Sequence, residues 1–187
     1  MSPKPNSPSA GSLAGSLLLA SPVMTDPNFS RSVIFMAAHS DREGAFGYIL
    51  NRPLDQSVGD LLPDEDLGAL GTVPVFMGGP VATDKLAFAA MLWNKRKGTL
   101  RCQTHLSVAD AIQAIKLGHD VRGFVGYSGW TGGQLENEIK RRSWITAKAK
   151  PLVLATERPA QLWSTILQDM GAKYSLIAKM PEDVKLN

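Results

Sequence analysis

The chain has 187 residues, a single cysteine, 44% hydrophobic and 20% charged residues, and a formal net charge of +3. That length suits one domain able to bury about two-thirds of the surface its unfolded form exposes. The composition excludes wholesale disorder and a membrane-embedded body. Cys102 alone can form neither an intrachain disulfide nor a multi-cysteine metal site, which points to a reducing compartment.

Residues 1–11 are rich in Pro and Ser and are expected to form a flexible extension, leaving 12–187 as a single domain. The apolar run from Leu13 to Ala20 follows one weak positive charge and leads into turn residues, so it reads as folded structure and not as a signal-peptide core. No stretch approaches the ~20 apolar residues of a membrane span. Short β-like runs come next, at Ser16 to Ala20, Ser32 to Ala38, Ala45 to Leu50, Val73 to Met77 and Leu86 to Leu92. Without long helices between them, they favour antiparallel pairing over a doubly wound parallel sheet. Thr99 to Gln103 is also strand-like. Ser107 can cap a helix with Val108, Ala111, Ile112 and Ile115 on one face and Gly118 as its left-handed stop. An apolar strand from Arg122 to Tyr127 leads into a short helix starting near Gly132, and the strand-like run Leu152 to Thr156 follows. Pro159 opens a helix that turns Leu162, Trp163, Ile166, Leu167 and Met170 inward and ends at Gly171. Tyr174 to Ala178 reads as a last strand. The fold class is therefore α+β.

Certain segments hold more glycine, proline and polar residues than core packing requires. In Thr25-Asp26-Pro27-Asn28-Phe29 the aspartate before proline suits a rigid turn, with Arg31 two residues on, either paired to Asp26 or binding a ligand. His39 ends an apolar strand and can be a general base or a satisfied structural residue. Asn51, before Arg52-Pro53, can orient a ligand or satisfy loop backbone. Gly78-Gly79-Pro80 lets the backbone approach a ligand or another segment closely, and it has neither P-loop nor dinucleotide-binding spacing.

The richest segment runs from Val125 to Glu138 and joins a strand to a helix. Thr131 and Gln134 have capping-box spacing, which would put the Gly132 and Gly133 amides at a helix N-terminus suited to an anion. Leu135 and Ile139 should face inward, while Glu136 with Lys140 and Glu138 with Arg142 form i,i+4 surface pairs. Tyr127 and Trp130 are left without a packing explanation. Three scattered histidines and no ligand-spaced carboxylates give no expectation of a metal, and no residue pattern names a cofactor.

Leu17-Leu-Leu-Ala-Ser-Pro-Val-Met24, Asp26-Pro27-Asn-Phe29-Ser-Arg31-Ser32-Val33, Gly44-Ala-Phe-Gly47 with Asn51-Arg-Pro53, Gly78-Gly79-Pro80-Val81 and Gly126-Tyr-Ser-Gly-Trp130-x-x-Gly133-Gln-Leu-Glu136 occur here in order. In them the chain resembles the YqgE/AlgH family over nearly everything after the N-terminal extension. The resemblance implies a mixed, largely antiparallel, bifurcated sheet folded into a pseudo-barrel with about three helices packed on it. It also implies a bacterial cytoplasmic protein. Family members are largely uncharacterised, some carry the label of transcriptional regulator, and no catalytic set carries over. The Ser/Pro-rich extension and the basic loop Asn94-Lys-Arg-Lys-Gly98 depart from the family pattern.

Three functions follow from these residues. The first is a cytoplasmic regulatory module binding a small anionic or planar ligand, or a protein partner, through Arg31, His39, Asn51, Gly78, Gly79, Tyr127, Trp130, Gly132, Gly133 and Glu136. The second is direct DNA binding, disfavoured because the Ser107 helix runs into a strand with no recognition helix after it. The positive charge, in Lys95-Arg96-Lys97 and Lys140-Arg141-Arg142, permits anionic partners without demanding them. The third is an enzyme with His39 as base, Ser128 or Tyr127 as nucleophile or acid, Glu136 as orienter and the Gly132 and Gly133 amides as oxyanion site. Gly-Tyr-Ser-Gly-Trp is not a nucleophile elbow.

Overall fold

The computed structural model describes residues 11–63, 65–155 and 157–179, so the expected extension lies outside the described residues except at Gly11. Nine strands form one sheet: β1 (Ser16–Ala20), β2 (Val33–Ser40), β3 (Gly44–Ile49), β4 (Pro53–Ser57), β5 (Pro74–Met77), β6 (Val81–Asn94), β7 (Thr99–Leu106), β8 (Asp120–Trp130) and β9 (Trp144–Lys148). The order is β4-β5-β8-β3-β2-β1-β9, with β6 on β8 and β7 on β6. Among the described residues, only the β5–β8 pairing is parallel. The α+β class and the bifurcated, largely antiparallel sheet are as expected. The sheet is open: β4, β7 and β9 each pair on one side among the described residues. Five α-helices are described in place of about three: α1 (Val58–Leu61), α2 (Val108–Lys116), α3 (Gln134–Lys140), α4 (Leu162–Asp169) and α5 (Ala172–Ala178). None is long and apolar enough to cross a membrane.

The fork lies in β8. Its first half, Gly123 to Val125, pairs with β5, and its last residues, Ser128 to Trp130, pair with β3. At the junction Gly126 has φ 68°, and a Cβ there would lie 2.4 Å from the Gly79 carbonyl oxygen. Gly79 has φ 153°, and its Cβ would lie 2.2 Å from the Tyr127 carbonyl carbon. Glycine is required at both because two backbones touch where the strands part. The close approach of Gly78-Gly79 is therefore made to another chain segment.

Covered on both faces, β1 is a continuous apolar run, as buried strands are. Leu17 and Leu19 join Phe35, Phe124, Trp163, Ile166 and Leu167 in a core under α4 and α5. Leu18 and Ala20 join Ile34, Trp130, Leu135 and Trp144 under α3. A separate core under α1 and α2 contains Val58, Leu70, Val75, Phe88, Ala111 and Val121. Ser107 caps α2 as expected, its Oγ accepting from the Asp110 amide at 3.1 Å. The buried face of α2 is Ala111 and Ala114, with Val108 exposed. Arg122, at the head of the expected apolar strand, is only 1% exposed. It donates to Asp120 at 2.8 Å and to the Val153 carbonyl at 3.0 Å, and stacks over Phe76.

Two expected strands are helical. Leu152 to Leu154 belong to a 3-10 turn spanning Pro151–Leu154 with Ala155 as its C-cap, because Pro151 supplies no N–H to a ladder and Lys150 accepts from Val153 instead; Thr156 lies outside the described residues. Tyr174 to Ala178 lies in α5. The residues turned to the core are Tyr174, Ile177 and Ala178, which follow a helical i, i+3, i+4 period.

Gly79→Ala and Gly126→Ala are each expected to lower unfolding free energy by about 2–4 kcal/mol, combining positive φ with overpacking. Gly71→Ala, whose Cβ would meet nothing nearer than 3.7 Å, should be neutral or stabilising. Urea denaturation of the three variants checks the contrast.

Candidate functional site

The residues singled out in the sequence fall into three groups. The first surrounds His39, near the end of β2. Its side chain is 2% exposed, and both ring nitrogens are engaged: Nδ1 accepts from the Leu13 amide at 3.1 Å, and Nε2 lies 2.7 Å from Glu136 Oε1 on α3. Since Leu13 N–H can only donate, Nδ1 must present its lone pair, and the proton of the neutral ring resides on Nε2. A base needs a free lone pair, and none is left here. The ligand atoms of His39, Asp41 and Glu136 lie within 4.8 Å of one another, a grouping the sequence spacing did not suggest. Metal-bound histidines donate their second ring N–H to an acceptor. Here the second nitrogen faces a donor, so the group is arranged as a hydrogen-bonded pair and not as a metal centre.

For Glu136, burial works to raise the pKa, but its own backbone amide, the His39 hydrogen bond and charge, and Asp41 together hold the carboxyl below its ordinary value. The expected Glu136–Lys140 and Glu138–Arg142 surface pairs are replaced by contacts toward the sheet. Glu138 Oε2 accepts the indole N–H of Trp130 at 2.9 Å and of Trp144 at 2.8 Å, and its Oε1 accepts from Gln134 at 2.9 Å. Both indoles are buried, and they meet edge to face. Gln134 in turn accepts from the Thr131 amide at 3.1 Å, half of the expected capping box. The reciprocal half is missing because the helix begins two residues later, with Gly133 at its N-cap. Gly132 packs against the β2–β3 turn, where an added Cβ would meet the Arg42 carbonyl oxygen at 2.2 Å.

The second group is the fork of β8. Gly78 and Gly79 face backbone there, and Ser128 is fully buried, donating to the Gly78 carbonyl at 3.1 Å. Tyr127 is 36% exposed and meets Phe46 edge to face.

The third group has a cavity of about 300 Å³, lined by Ser30, Arg31, Asn51 and Arg52 before and after the β2–β3 hairpin, and by Trp163 and Ser164 of α4. Asn51 builds it. Its Oδ1 accepts from the Val33 amide at 2.9 Å and its Nδ2 donates to the Arg31 carbonyl at 2.9 Å, so one side chain clasps the backbone on both sides of Ser32. This holds Arg31 at φ 53°, a conformation that costs a non-glycine residue about 1–2 kcal/mol, and lays its guanidinium 5.1 Å above the Trp163 ring. Arg52, half-buried, donates one hydrogen bond, to the Ser30 carbonyl at 2.9 Å, and forms no ion pair among the described residues. Its pKa is lowered by burial, with the more distant charge of Asp26 opposing the shift. Arg31 and Asn51 stand among the site residues expected from the sequence, whereas Arg52, Trp163 and Ser164 do not. Asn51-Arg52-Pro53 was the available signal, with Arg52 extended ahead of proline and its carbonyl taken by Met77.

Glu138→Ala leaves two buried indole N–H groups without an acceptor and is expected to cost about 2–4 kcal/mol, whereas Glu138→Gln keeps an acceptor oxygen and costs less. Urea denaturation followed by tryptophan fluorescence separates the two. For Glu136 the folded carboxyl holds its proton less tightly than the unfolded one. Its contribution is therefore present at neutral pH and lost as pH falls through the lowered folded value. Wild type should accordingly lose more stability than Glu136→Gln when melting is compared at neutral pH and at the acid end of the carboxylate range.

A family model described as AlgH-like matches residues 17–175. The UPF0301 protein of Streptomyces coelicolor is 34% identical over 94% of this chain and 96% of its own length, and that of Mycobacterium marinum is 38% identical over 93% and 90%. The solution structure of the AlgH protein from Pseudomonas aeruginosa superposes with a TM-score of 0.66 at 28% identity, covering 94% of this chain and 98% of that one. The crystal structure of a Corynebacterium diphtheriae protein gives 0.66 at 21% identity, covering 94% of each chain, which speaks to the fold alone. From ordered motifs, forked sheet and these likenesses together, the chain belongs to the AlgH-like family, the YqgE/AlgH group whose members bear the name UPF0301.

Proposed function

We propose that this protein is a cytoplasmic regulatory module that binds a small anionic ligand in the cavity between Arg31 and Arg52. The carrying observation is Arg52, a half-buried guanidinium with one carbonyl partner and no carboxylate within ion-pair distance among the described residues. Buried charges are normally paired, and a bound anion supplies the missing partner. Asn51 acts through the backbone, fixing where Arg31 departs. The indole of Trp163 is 1% exposed and lies beneath the Arg31 guanidinium, so it gives a planar ligand little to stack on. Charge, and not planarity, is what the cavity reads.

Binding is favoured over catalysis by the state of the residues an enzyme would use. His39 has both nitrogens engaged, and Ser128 is buried with its hydroxyl donated to a carbonyl. DNA recognition through α2 is disfavoured by its direct passage into β8.

Titrating isotope-labelled protein with small anions should move the amide resonances of residues 30–32, 51–52 and 163–164 together. Arg52→Ala should weaken binding by about tenfold or more, since hydrogen bonds to charged groups contribute about 1.5–3 kcal/mol. Anions that leave those resonances in place would rule the reading out.

A further inference from the structure

We propose that His39 is a proton-operated latch: uptake of a second proton at Nδ1 frees residues 12–14 from β2 and leaves α3 in place. The latch shares no residue with the lining of the Arg31–Arg52 cavity. Among the described residues, the hydrogen bonds from residues 12–14 to β2 both end on His39. The Leu13 amide donates to Nδ1 at 3.1 Å, and Ser12 Oγ donates to the His39 carbonyl at 3.2 Å. Other bonds of the segment close on itself, the Ala14 amide donating to Ser12 Oγ at 3.3 Å and the Ser16 amide to the Leu13 carbonyl at 3.0 Å. Past it, the Gly15 amide donates to the Met36 carbonyl at 2.8 Å and holds the chain on β2 without His39. Gly15, at φ 84°, is therefore the fixed end about which the segment turns.

The neutral ring has one lone pair, at Nδ1, and the Leu13 N–H occupies it. An arriving proton must take that same lone pair, because Nε2 already carries the proton donated to Glu136. The charged ring is a donor at both nitrogens, and at Nδ1 it faces another donor. At Nε2 the added charge is favourable. Glu136 Oε1 of α3 lies 2.7 Å away and Asp41 Oδ1 of the β2–β3 turn 3.9 Å, so both carboxylates attract the imidazolium on that side. From the other elements no charge opposes it: residues 11–15 have no titratable side chain, and the residue opposite His39 on β3 is Ala45. With the side chain 2% exposed, solvent can give Nδ1 an acceptor only after the segment has moved. Leu13 also packs against the core under α3, so its departure opens an edge of that core.

Proton and segment compete for one lone pair, and such coupling is reciprocal. Nuclear magnetic resonance of the full chain from about pH 8 to about pH 5, the range in which histidines gain charge, tests it. The Leu13 amide should shift with the same midpoint as the His39 ring. Its exchange protection, corrected for the intrinsic rate, should fall about tenfold, the loss of one hydrogen bond that cannot be remade in place. The indole N–H groups of Trp130 and Trp144, held by Glu138, should keep theirs. His39→Asn puts an acceptor oxygen that does not titrate where Nδ1 lies, and should leave Leu13 protected at both ends of the range. Leu13→Pro removes the N–H and should raise the midpoint at which His39 takes up its proton. A Leu13 amide still protected after the ring has titrated, equal loss of protection in His39→Asn, a His39 midpoint unmoved by Leu13→Pro, indole protection lost with the same midpoint, or a ring that takes up no proton before the whole protein unfolds would each overturn the latch.

Discussion

The close passage of Gly79 against the β8 backbone at Gly126 and Tyr127 is the constraint on which the architecture depends. A strand has two hydrogen-bonding edges, yet β8 must serve β3, β5 and β6. It does so by changing partners along its length, and the change needs backbone-to-backbone contact that a side chain would prevent. From that junction one branch carries the core under α1 and α2, and the other carries β3, β2, β1 and β9 with a core on each face. The candidate cavity depends on the second branch, because the start of β2 and the end of β3 hold Arg31 and Asn51.

Helix α3 shows how polar groups can specify packing. A seven-residue helix is too short to be stable by propensity alone, and its fixed position comes from tertiary contacts. Leu135 supplies apolar burial, while Glu136 and Glu138 reach in opposite directions, to the His39 ring and to two indoles. The same contacts bind the N-terminal segment, since the ring that donates to Glu136 accepts from Leu13. Such hydrogen bonds require particular partners, so they orient α3 in a way that hydrophobic burial, being non-directional, cannot.

Much of the fold was legible because local and global preferences agree. The apolar runs of β1, β2, β3 and β5, the Ser107 cap of α2 and the inward face of α4 all signal the structure they adopt. The signal failed where a short apolar run fits two periods. Tyr174, Ile177 and Ala178 suit one turn of helix, yet within Tyr174 to Ala178 they also read as a strand. It failed again where sequence distance hides the partner. Glu138 has a basic residue four positions on, but its actual partners are Trp130 and Trp144, brought beside it by strands on either side of the helix. Arg52 is obscured for the same reason: that a guanidinium has no carboxylate within ion-pair distance among the described residues is a property of three dimensions. Arg31 and Asn51 were found separately, but the clasp that joins them across twenty residues was not.

That clasp has a bearing on how the cavity works. Asn51 fixes the backbone at Arg31 and Trp163 supports its guanidinium from below, so a ligand bound as proposed would find little freedom to remove there. Ordering flexible arginines is a principal cost of capturing small anions, and for Arg31 the fold already bears much of that cost. Trp163 is also a core residue, its indole N–H donating at 2.9 Å to the Ala20 carbonyl at the end of β1. Lining of the cavity and pillar of the core are one side chain, so under the proposed binding role a ligand would rest on a residue that also anchors the end of β1.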